Sequence, residues 1–536
     1  MQLEDLMKVK KQSETMRQNW LDVWEEIAYY VLPSKVGFNS KHVPGERQKW
    51  SRRFDTTAGQ ANKTLANHLH MALCSPSQAW FEGEFTDPEL NKNDAAKEWA
   101  EDTTERMFKA FNYSNFNGKI NTFFQTLCAF GTSNLEAGFI STPREPFSLV
   151  FKTVSLGDFT FDVNVDERID TIFQDVRMSQ RQAEQKFGKK FQSKSNTDYN
   201  GKLKFTKIIH PNEDFDPDSL NPKKRDIMVV WEQGGEEILV EYEWEMPQMV
   251  ARFDEIYDDY YGEGPAIVCL SDIRSINTAK RLEFRGYEKA IDPPLMGAPN
   301  GIIGDLHINA GGFTQVRDPR MIGEMPGQMN FQLAMTKGEE LRDSIRKAYK
   351  IDELMVPERK GQNPATATEI QIRYEQMQKM MGATVGRIET ELLKPLIKRV
   401  FGVMMRNGQF AEMPEEIAGA DFDFRYTGPL AKSQISQDAV AVERLLQAEM
   451  ALAQIDPAVI AVIDHEKAMR LLADRYSVPA IVIRSEKEVK QIQEAQAQQA
   501  AQQQQNQQAM EGAQAQQAQA DADMANVELL QNVQGM

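Results

Sequence analysis

The chain is poor in most of what announces chemistry. Its 536 residues hold three cysteines, Cys74, Cys128 and Cys269. They are odd in number, far apart and form no Cys-x-x-Cys pair. Neither a disulfide framework nor a zinc site is expected, and a reducing compartment fits. Of the six histidines, His68 and His70 lie two apart on a predicted helix, so they face different ways and make no metal pair. No Gly-x-x-x-x-Gly-Lys-Ser/Thr occurs and no Gly-x-Gly-x-x-Gly follows a strand, which excludes a P-loop motor and a dinucleotide fingerprint. The most apolar stretches, 458–463 and 293–304, are far shorter than the ~20 residues of a membrane span. The first residues show no apolar leader core, so neither a secretory signal nor membrane insertion is expected. Positive charge is short as well: 62 Lys and Arg stand against 79 Asp and Glu, a formal net charge of −17. A groove that grips nucleic acid gains affinity by releasing counterions to a basic surface. Tight nonspecific DNA binding is therefore not expected, although an acidic protein can still pass DNA without holding it.

What is present is the composition of a folded protein, 41% hydrophobic and 26% charged. Residues 1–32 read as a helix with Trp20, Val23, Trp24, Ile27 and Val31 on one face, stopped by Pro33. A second helix at 57–74 turns Leu65, Leu69, Ala72 and Leu73 inward, Trp80-Phe81 opens a strand, and helices follow at 93–113 and 117–130. From 134 to 178 the period changes. Leu149-Val-Phe, Phe159-Thr-Phe and Thr171-Ile-Phe predict a small antiparallel sheet, with further strands at 204–210, 227–232 and 237–244. The first half is thus α+β.

The second half is predominantly helical. A helix of about 37 Å is expected over 265–290, ended by Pro293-Pro294, and one of about 33 Å over 329–350. Between them, 293–328 holds seven Gly and five Pro, an irregular insert. A loop at 351–364 leads to the capping box Thr366-Ala-Thr-Glu369. A long helix follows, with Ile370, Tyr374, Met377, Met381, Val385, Ile388, Leu392, Leu396, Val400 and Val403 on one face. Pro395 should kink it and Asn407-Gly408 should end it. Its many methionines read either as core filler or as a surface that adapts between copies. Helices at 433–454 and 464–476 come next, the latter capped by Asp464. From 491 to 520 half the residues are Gln, a low-complexity tail that is disordered or loosely helical.

Three near-motifs fail on inspection. Gly131-Thr-Ser133-Asn-Leu135 begins like a nucleophile elbow and lacks its final glycine. Asp162-Val-Asn164-Val-Asp166 opens like a calcium loop but has Glu167 at the glycine position and Phe173 at the glutamate position, so a hairpin turn is expected. Asp254, Glu255, Asp258 and Asp259 form an acidic run that reads as a solvated face rather than a two-metal site. The basic residues of the paired helices are Arg274, Lys280, Arg281, Arg285 and Lys289 on the first. On the second they are Lys337, Arg342, Arg346, Lys347 and Lys350, interleaved with acids. Taken alone they read as amphipathic helices laced with ion pairs.

Four segments in order resemble the portal, or head-to-tail connector, proteins of short-tailed bacteriophages. They are Asp55-Thr-Thr-Ala-Gly59 through Ser75-Pro76 and Trp80-Phe81; Tyr261-Gly-Glu-Gly-Pro-Ala266; Thr366-Ala-Thr-Glu369 through Glu391-Leu-Leu-Lys-Pro395-Leu396 to Arg406-Asn-Gly408; and Tyr426-Thr-Gly-Pro-Leu-Ala431 continuing to Asp456-Pro457 and Val478-Pro479. The resemblance spans about residues 15–490. It implies a predominantly helical α+β portal fold with wing (1–264 and 365–432), stem (265–292 and 329–350), clip (293–328), tunnel loop (351–364) and crown (433–490), followed by the Gln-rich tail (491–536).

The resemblance further implies a ring of about twelve copies at one capsid vertex, through which DNA is packaged and later ejected. No catalytic residue, metal or cofactor is expected. The implied partners are double-stranded DNA that is not tightly bound, the terminase large subunit, tail adaptor and tail proteins, and the major capsid and scaffolding proteins. The implied place is the virion, after assembly in the host cytoplasm. Residues expected to meet DNA are Glu358, Arg359 and Lys360 of the loop and Lys337, Arg342, Arg346, Lys347 and Lys350 of the stem. Those expected to dock terminase and adaptors are Asn300, Asp305, His307, Arg317, Asp318 and Arg320 of the clip. The competing readings are another virion ring component and a carboxylate metal enzyme built on Asp258-Asp259.

Overall fold

The computed structural model describes residues 3–35, 53–77, 79–141, 147–187, 202–215, 225–232, 237–292, 295–297, 302–303, 305, 315–318, 320, 322–324, 331–351, 381–417, 419–427, 429–453, 462–475, 484 and scattered positions from 489 to 510. The chain forms two units, 1–88 with 99–434 and 89–98 with 435–536.

In the first unit the predicted helices are α1 (Leu3–Tyr30), α2 (Thr57–Leu73), α3 (Asp94–Tyr113, from Trp99 on) and α4 (Phe116–Phe130). The expected inward faces are the buried ones: Trp24, Ile27 and Val31 on α1, and Leu65, Leu69, Ala72 and Leu73 on α2. α4 is the apolar centre. Ile120, Phe123, Phe124, Leu127 and Phe130 are all buried, because α2 covers one side and β2 (Thr132–Ile140) and β3 (Ser148–Val154) the other. Burying one such side chain stabilises by roughly 1.5–3 kcal/mol, so this helix anchors the unit.

The strands form two main antiparallel sheets. One has the order β3-β2-β9, with β9 at Gln248–Arg252. The other is a meander of β4 (Phe159–Val163), β5 (Ile169–Ser179), β6 (Lys202–Pro211), β7 (Asp226–Glu232) and β8 (Glu237–Glu243), neighbours in sequence pairing in space. The short α5 (Gln180–Phe187) packs Ala183 on Leu203, Phe205 and Val230 of this sheet. Between β4 and β5, Asn164 Oδ1 accepts from the backbone N–H of Asp166 (3.0 Å) and Arg168 (2.9 Å), and Glu167 turns with φ 59°. The segment that opens like a calcium loop is thus the expected hairpin turn. β1 (Phe81–Phe85) pairs with β14 (Phe422–Tyr426), Phe81 opposite Tyr426, which joins segments more than 300 residues apart.

The helix expected over 265–290 is two pieces, α6 (Pro265–Val268) and α7 (Leu270–Ile291), separated at Cys269. The break follows from how α6 is seated. It starts at Gly264, which lies against the end of α4 so closely that a Cβ there would fall 2.7 Å from the Cys128 carbonyl oxygen. Gly131 ends α4 with φ 75°, and a Cβ on it would fall 2.0 Å from the Gly262 carbonyl oxygen. The short pair β10 (Asp254–Glu255) and β11 (Gly262–Glu263) delivers the chain to this contact. The elbow-like Gly131-Thr-Ser133 is therefore a helix-to-strand joint. After α7, β12 (Leu295–Gly297) pairs with β13 (Ile322–Glu324), and α8 (Phe331–Ala348) returns antiparallel to α7.

Residues 381–388 are helical and lead into a π-turn at Glu389–Leu393, then α9 (Lys394–Arg406). Pro395 has no N–H for the carbonyl four residues back. The helix takes up the defect one turn earlier, where the Lys394 N–H reaches the Glu389 carbonyl, five residues back. Met381, Val385, Ile388, Leu392, Leu396, Val400 and Val403 are all buried, as their spacing predicts. Ile370, Tyr374, Met377 and the capping box at 366–369 lie outside the described residues. Gly408, φ 64°, ends the helix.

In the second unit, residues 435–453 of α10 (Pro429–Ala453) and α11 (His465–Arg475) bury Ala439, Ala468 and Leu472. Asp464 caps α11 as expected, its Oδ1 accepting from the Lys467 N–H at 3.1 Å.

The glycine joint gives a paired prediction. Gly131→Ala adds a Cβ to a left-handed residue pressed on backbone, and should destabilise by about 3 kcal/mol or more. Gly118→Ala, exposed in α4 with open space around it, should instead stabilise by about 0.5–1 kcal/mol. Urea titrations of both variants against wild type check the pair.

Candidate functional site

The paired helices α7 and α8 carry most of the stem residues named from the sequence. Ile273 and Ile276 of α7 and Ile345 and Tyr349 at the end of α8 are buried in the core of the first unit. The Ser344 hydroxyl donates to Asp272 at 2.6 Å, which sets the antiparallel register of the two helices. The hairpin is held to the N-terminal segments by several side chains, Arg274 of α7 pairing with Glu26 of α1 among them. The Phe54 N–H donates to the Asn277 side-chain oxygen at 2.8 Å. Arg342 donates to the Asp55 carboxylate through Nε and a terminal nitrogen, both at 3.1 Å, and Asp55 also accepts from the Thr57 N–H at the start of α2. Burial alone would raise the Asp55 pKa, but the hydrogen bonds from Thr57 and Arg342 outweigh it and hold the carboxyl below its ordinary value.

The remaining basic residues divide by partner. Lys337 pairs with Glu340 (2.6 Å), Arg346 with Asp343 (2.8 Å), Arg342 also with Glu339, Arg274 with Glu26, and Lys280 with Glu283 (2.8 Å). Lys347 is exposed, and Lys350 sits at the left-handed end of α8 with φ 54°. Arg281, Arg285 and Lys289 are exposed and make no ion pair among the described residues. The structure therefore places Lys337, Arg342, Arg346 and Lys347 on α8 and Lys350 just past its end, with Arg342 engaged by Asp55. Of the insert residues, Asp305, Arg317 and Arg320 are exposed and Asp318 is half-buried. Asn300, His307, Glu358, Arg359 and Lys360 lie outside the described residues.

The acidic run around Asp258 does not converge. Asp254 accepts from Thr384 at 2.9 Å, Glu255 faces Arg252 and Arg387, and Asp259 accepts from the Trp20 indole and the Tyr261 N–H, both at 3.0 Å. Among the described residues no three His, Cys, Asp or Glu side chains are placed to hold a metal ion. All three cysteines are buried and free. Burial pushes their thiols up, that of Cys269 to about 12.

One buried ion pair could not be read from the sequence. Arg252, at the end of β9, donates to Glu391 of the π-turn from its side chain (Nε, 2.9 Å) and its backbone N–H (2.8 Å), and reaches the Glu167 carbonyl of the hairpin turn. A groove of about 1150 Å³ opens beside it, lined by both signs of charge, including Arg168, Asp226, Glu245, Arg387, Glu391 and Lys398. No spacing rule connects residues 139 positions apart. Glu391 could be recognised only as an acid on the otherwise apolar side of a helix.

Comparison with known proteins follows the same outline. The chain matches the model of the family described as bacteriophage head to tail connecting protein over residues 3–483. It is 25% identical over 492 residues to a probable portal protein of Bordetella phage BPP-1, covering 88% of this chain and 87% of that one. It is 23% identical over 511 residues to a portal protein of Salmonella phage epsilon15, covering 91% and 89%.

Asp226, at the groove wall, yields a pH prediction. It is 4% exposed, and its Oδ2 accepts no hydrogen bond among the described residues. Burial pushes its carboxyl up to about 6; Arg225 opposes this and Glu243 adds to it. The folded-state pKa lies above the unfolded value, so ionisation costs stability above about pH 6. The cost shrinks as pH falls through 6 and is absent below about pH 4. Asp226→Asn should stabilise by roughly 3 kcal/mol at pH 8 and by nothing at pH 4. Denaturant midpoints at the two pH values test the difference.

Proposed function

The chain belongs to the bacteriophage head-to-tail connecting proteins, and on that premise we propose how its residues serve a portal at the head–tail junction of a virion. Copies close into a ring, in which each subunit's two side faces complement one another. The stem hairpin lines or encloses the channel, the insert after α7 forms the rim, and duplex DNA passes during packaging and ejection. The observation that carries this reading is the antiparallel pair α7 and α8, tied to the wing by Arg342–Asp55 and joined at its far end by the short β12–β13 pair.

Charge supports a conduit that does not bind. Each copy contributes −17, so a ring of twelve would carry 12 × −17, or −204. Phosphates that meet few unpaired cations release few counterions and do not stick. On α8 most bases are already matched by acids on the same helix, which leaves a mixed surface over which DNA slides. Glu358, Arg359 and Lys360 are proposed to touch the passing duplex. Asn300, Asp305, His307, Arg317, Asp318 and Arg320 are proposed to receive the terminase large subunit first and tail adaptors later. Catalysis is not part of the role: the energy comes from the partner motor, and the chain supplies shape and charge. Capsid and scaffolding proteins complete its surroundings during assembly in the host cytoplasm.

Electron microscopy with rotational classification, together with a mass measurement, should show a ring near twelve copies with a central hole wide enough for duplex DNA. A stable compact monomer under all assembly conditions would overturn the reading. In a gel-shift series at physiological salt, the ring should retard linear duplex DNA only weakly. Submicromolar retention would contradict the sliding surface.

A further inference from the structure

We propose that the groove beside Arg252 binds an aliphatic ammonium ion, with Asp226 as the carboxylate that receives it. The site is built within one copy of the chain. Its walls are the turn between β4 and β5, the start of β7, the segment 245–252 and the helix from Ala383 through the π-turn into α9. At about 1150 Å³ it is roomy enough for a ligand of small-molecule size. Ile169, Met246, Leu393 and Ile397 offer apolar wall to methylene groups.

What the groove is short of is positive charge. Many of its charged side chains already have partners. Arg252 holds Glu391, Arg387 meets Glu255 at 3.3 Å, Lys398 meets Asp423 at 3.4 Å and Arg406 meets Glu245 at 2.7 Å. The remainder gathers at the end formed by β5 and β7. There Asp166, Glu167, Asp170 and Asp226 stand with Arg168 and Arg225, four acids against two bases, and none of these six makes an ion pair among the described residues.

Asp226 is the residue in greatest deficit. The register of β7 sets it between Pro211 and Glu243, so two carboxylates stand directly opposite each other, an unfavourable pairing. Arg399 donates to Glu243 at 2.7 Å and answers that one. Asp226 is 4% exposed, and its Oδ2 accepts no hydrogen bond among the described residues. Buried polar atoms are nearly always satisfied, and an exception calls for an explanation. A cationic donor supplies both the hydrogen bond and the charge that this end lacks. An ammonium on a methylene stem brings a compact head to a recessed carboxylate and an apolar stem to the walls. A metal ion fits less well, because among the described residues no three acidic or metal-ligating side chains converge.

The groups that face Asp226 set the pH range. Burial pushes its carboxyl up to about 6; Arg225 and Arg399 of α9 oppose this, and Glu243 and Glu245 add to it. The ammonium binds the ionised form, so binding is full well above pH 6 and fades below it. At pH 5 about a tenth of the carboxyl is ionised, which makes binding about tenfold weaker than at pH 8.

The test is calorimetric titration of the full chain at pH 8 and pH 5 with two probes, 1,4-diaminobutane and the peptide acetyl-Ala-Lys-Ala-amide, with melting of each sample. At least one probe should bind saturably at pH 8, about tenfold more weakly at pH 5, and raise the melting temperature at pH 8. Asp226→Asn should weaken binding at least tenfold while the variant folds. Glu105→Gln, exposed on α3 and outside the groove walls, removes the same charge and should leave binding unchanged. The diamine alone binding assigns a free polyamine, the peptide alone a lysine of another chain, and both together any aliphatic ammonium. No saturable binding by either probe at pH 8 would overturn the proposal. Equal binding to wild type and Asp226→Asn would overturn it too, since it shows only counter-ions drawn to a chain of net charge −17. If Asp226→Asn fails to fold, the wild-type chain decides: equal affinity at the two pH values rules the site out.

Discussion

The chain turns into α6 and α7 where three glycines meet, and the arrangement of the first unit depends on that close approach. Gly131 at the end of α4 touches Gly262, and Gly264 touches the last turn of α4, with no room for a side chain at any of the three. The contact is made by backbone, so it has one geometry. The Gly131 carbonyl accepts from the Phe253 N–H at 2.8 Å, and the Gly262 N–H donates to the Thr132 hydroxyl at 2.9 Å. Four elements, α4, β2, the end of β9 and α6, are thereby fixed at one point. α6 starts from this point, and α7 follows past the turn at Cys269.

Ion pairs then hold what the joint directs. Arg342–Asp55 couples the returning helix α8 to the start of α2, so both arms of the hairpin are tied to the same body. Arg252–Glu391 does the same for the long C-terminal helix, at its π-turn. Arg399, 4% exposed, holds α9 to Glu243 and Glu245 at the end of β8. Buried pairs of this type add little net stability compared with apolar packing, but removing one partner is costly. Each joins a helix to an element far away in the chain: α8 to the start of α2, the π-turn to β9, and α9 to the end of β8.

Much of the architecture was legible because it is local. Helix faces at 20–31, 65–73 and 381–403 follow from three-and-four spacing, and the meander follows from strands separated by turn residues. The order of helix, Gly- and Pro-rich insert and helix pointed to the α7–α8 hairpin. What was not legible is what depends on distance. The break at Cys269 arises from the seat on α4, which ends 139 residues upstream (269 − 130). The partners of Arg342 and Arg252 are 287 and 139 residues away, and nothing in the local pattern selects Asp55 or Glu391 from the other acids. Arg342, expected from the sequence to meet DNA, is half-buried beside Asp55, a pairing that its spacing on an amphipathic helix does not reveal.

The three buried thiols have a consequence of their own. Cys74, Cys128 and Cys269 are the only cysteines in the chain, and all lie in the one large core of the first unit. Cys128 and Cys269 flank the glycine joint that precedes α7, and Cys74 ends α2. With their pKa values raised by burial, none forms much thiolate at neutral pH, and a thiol reagent reacts only when the core opens. The molecule thus carries a native chemical clock: the rate at which label appears on each cysteine counts how often that part of the first unit breathes, without any added probe.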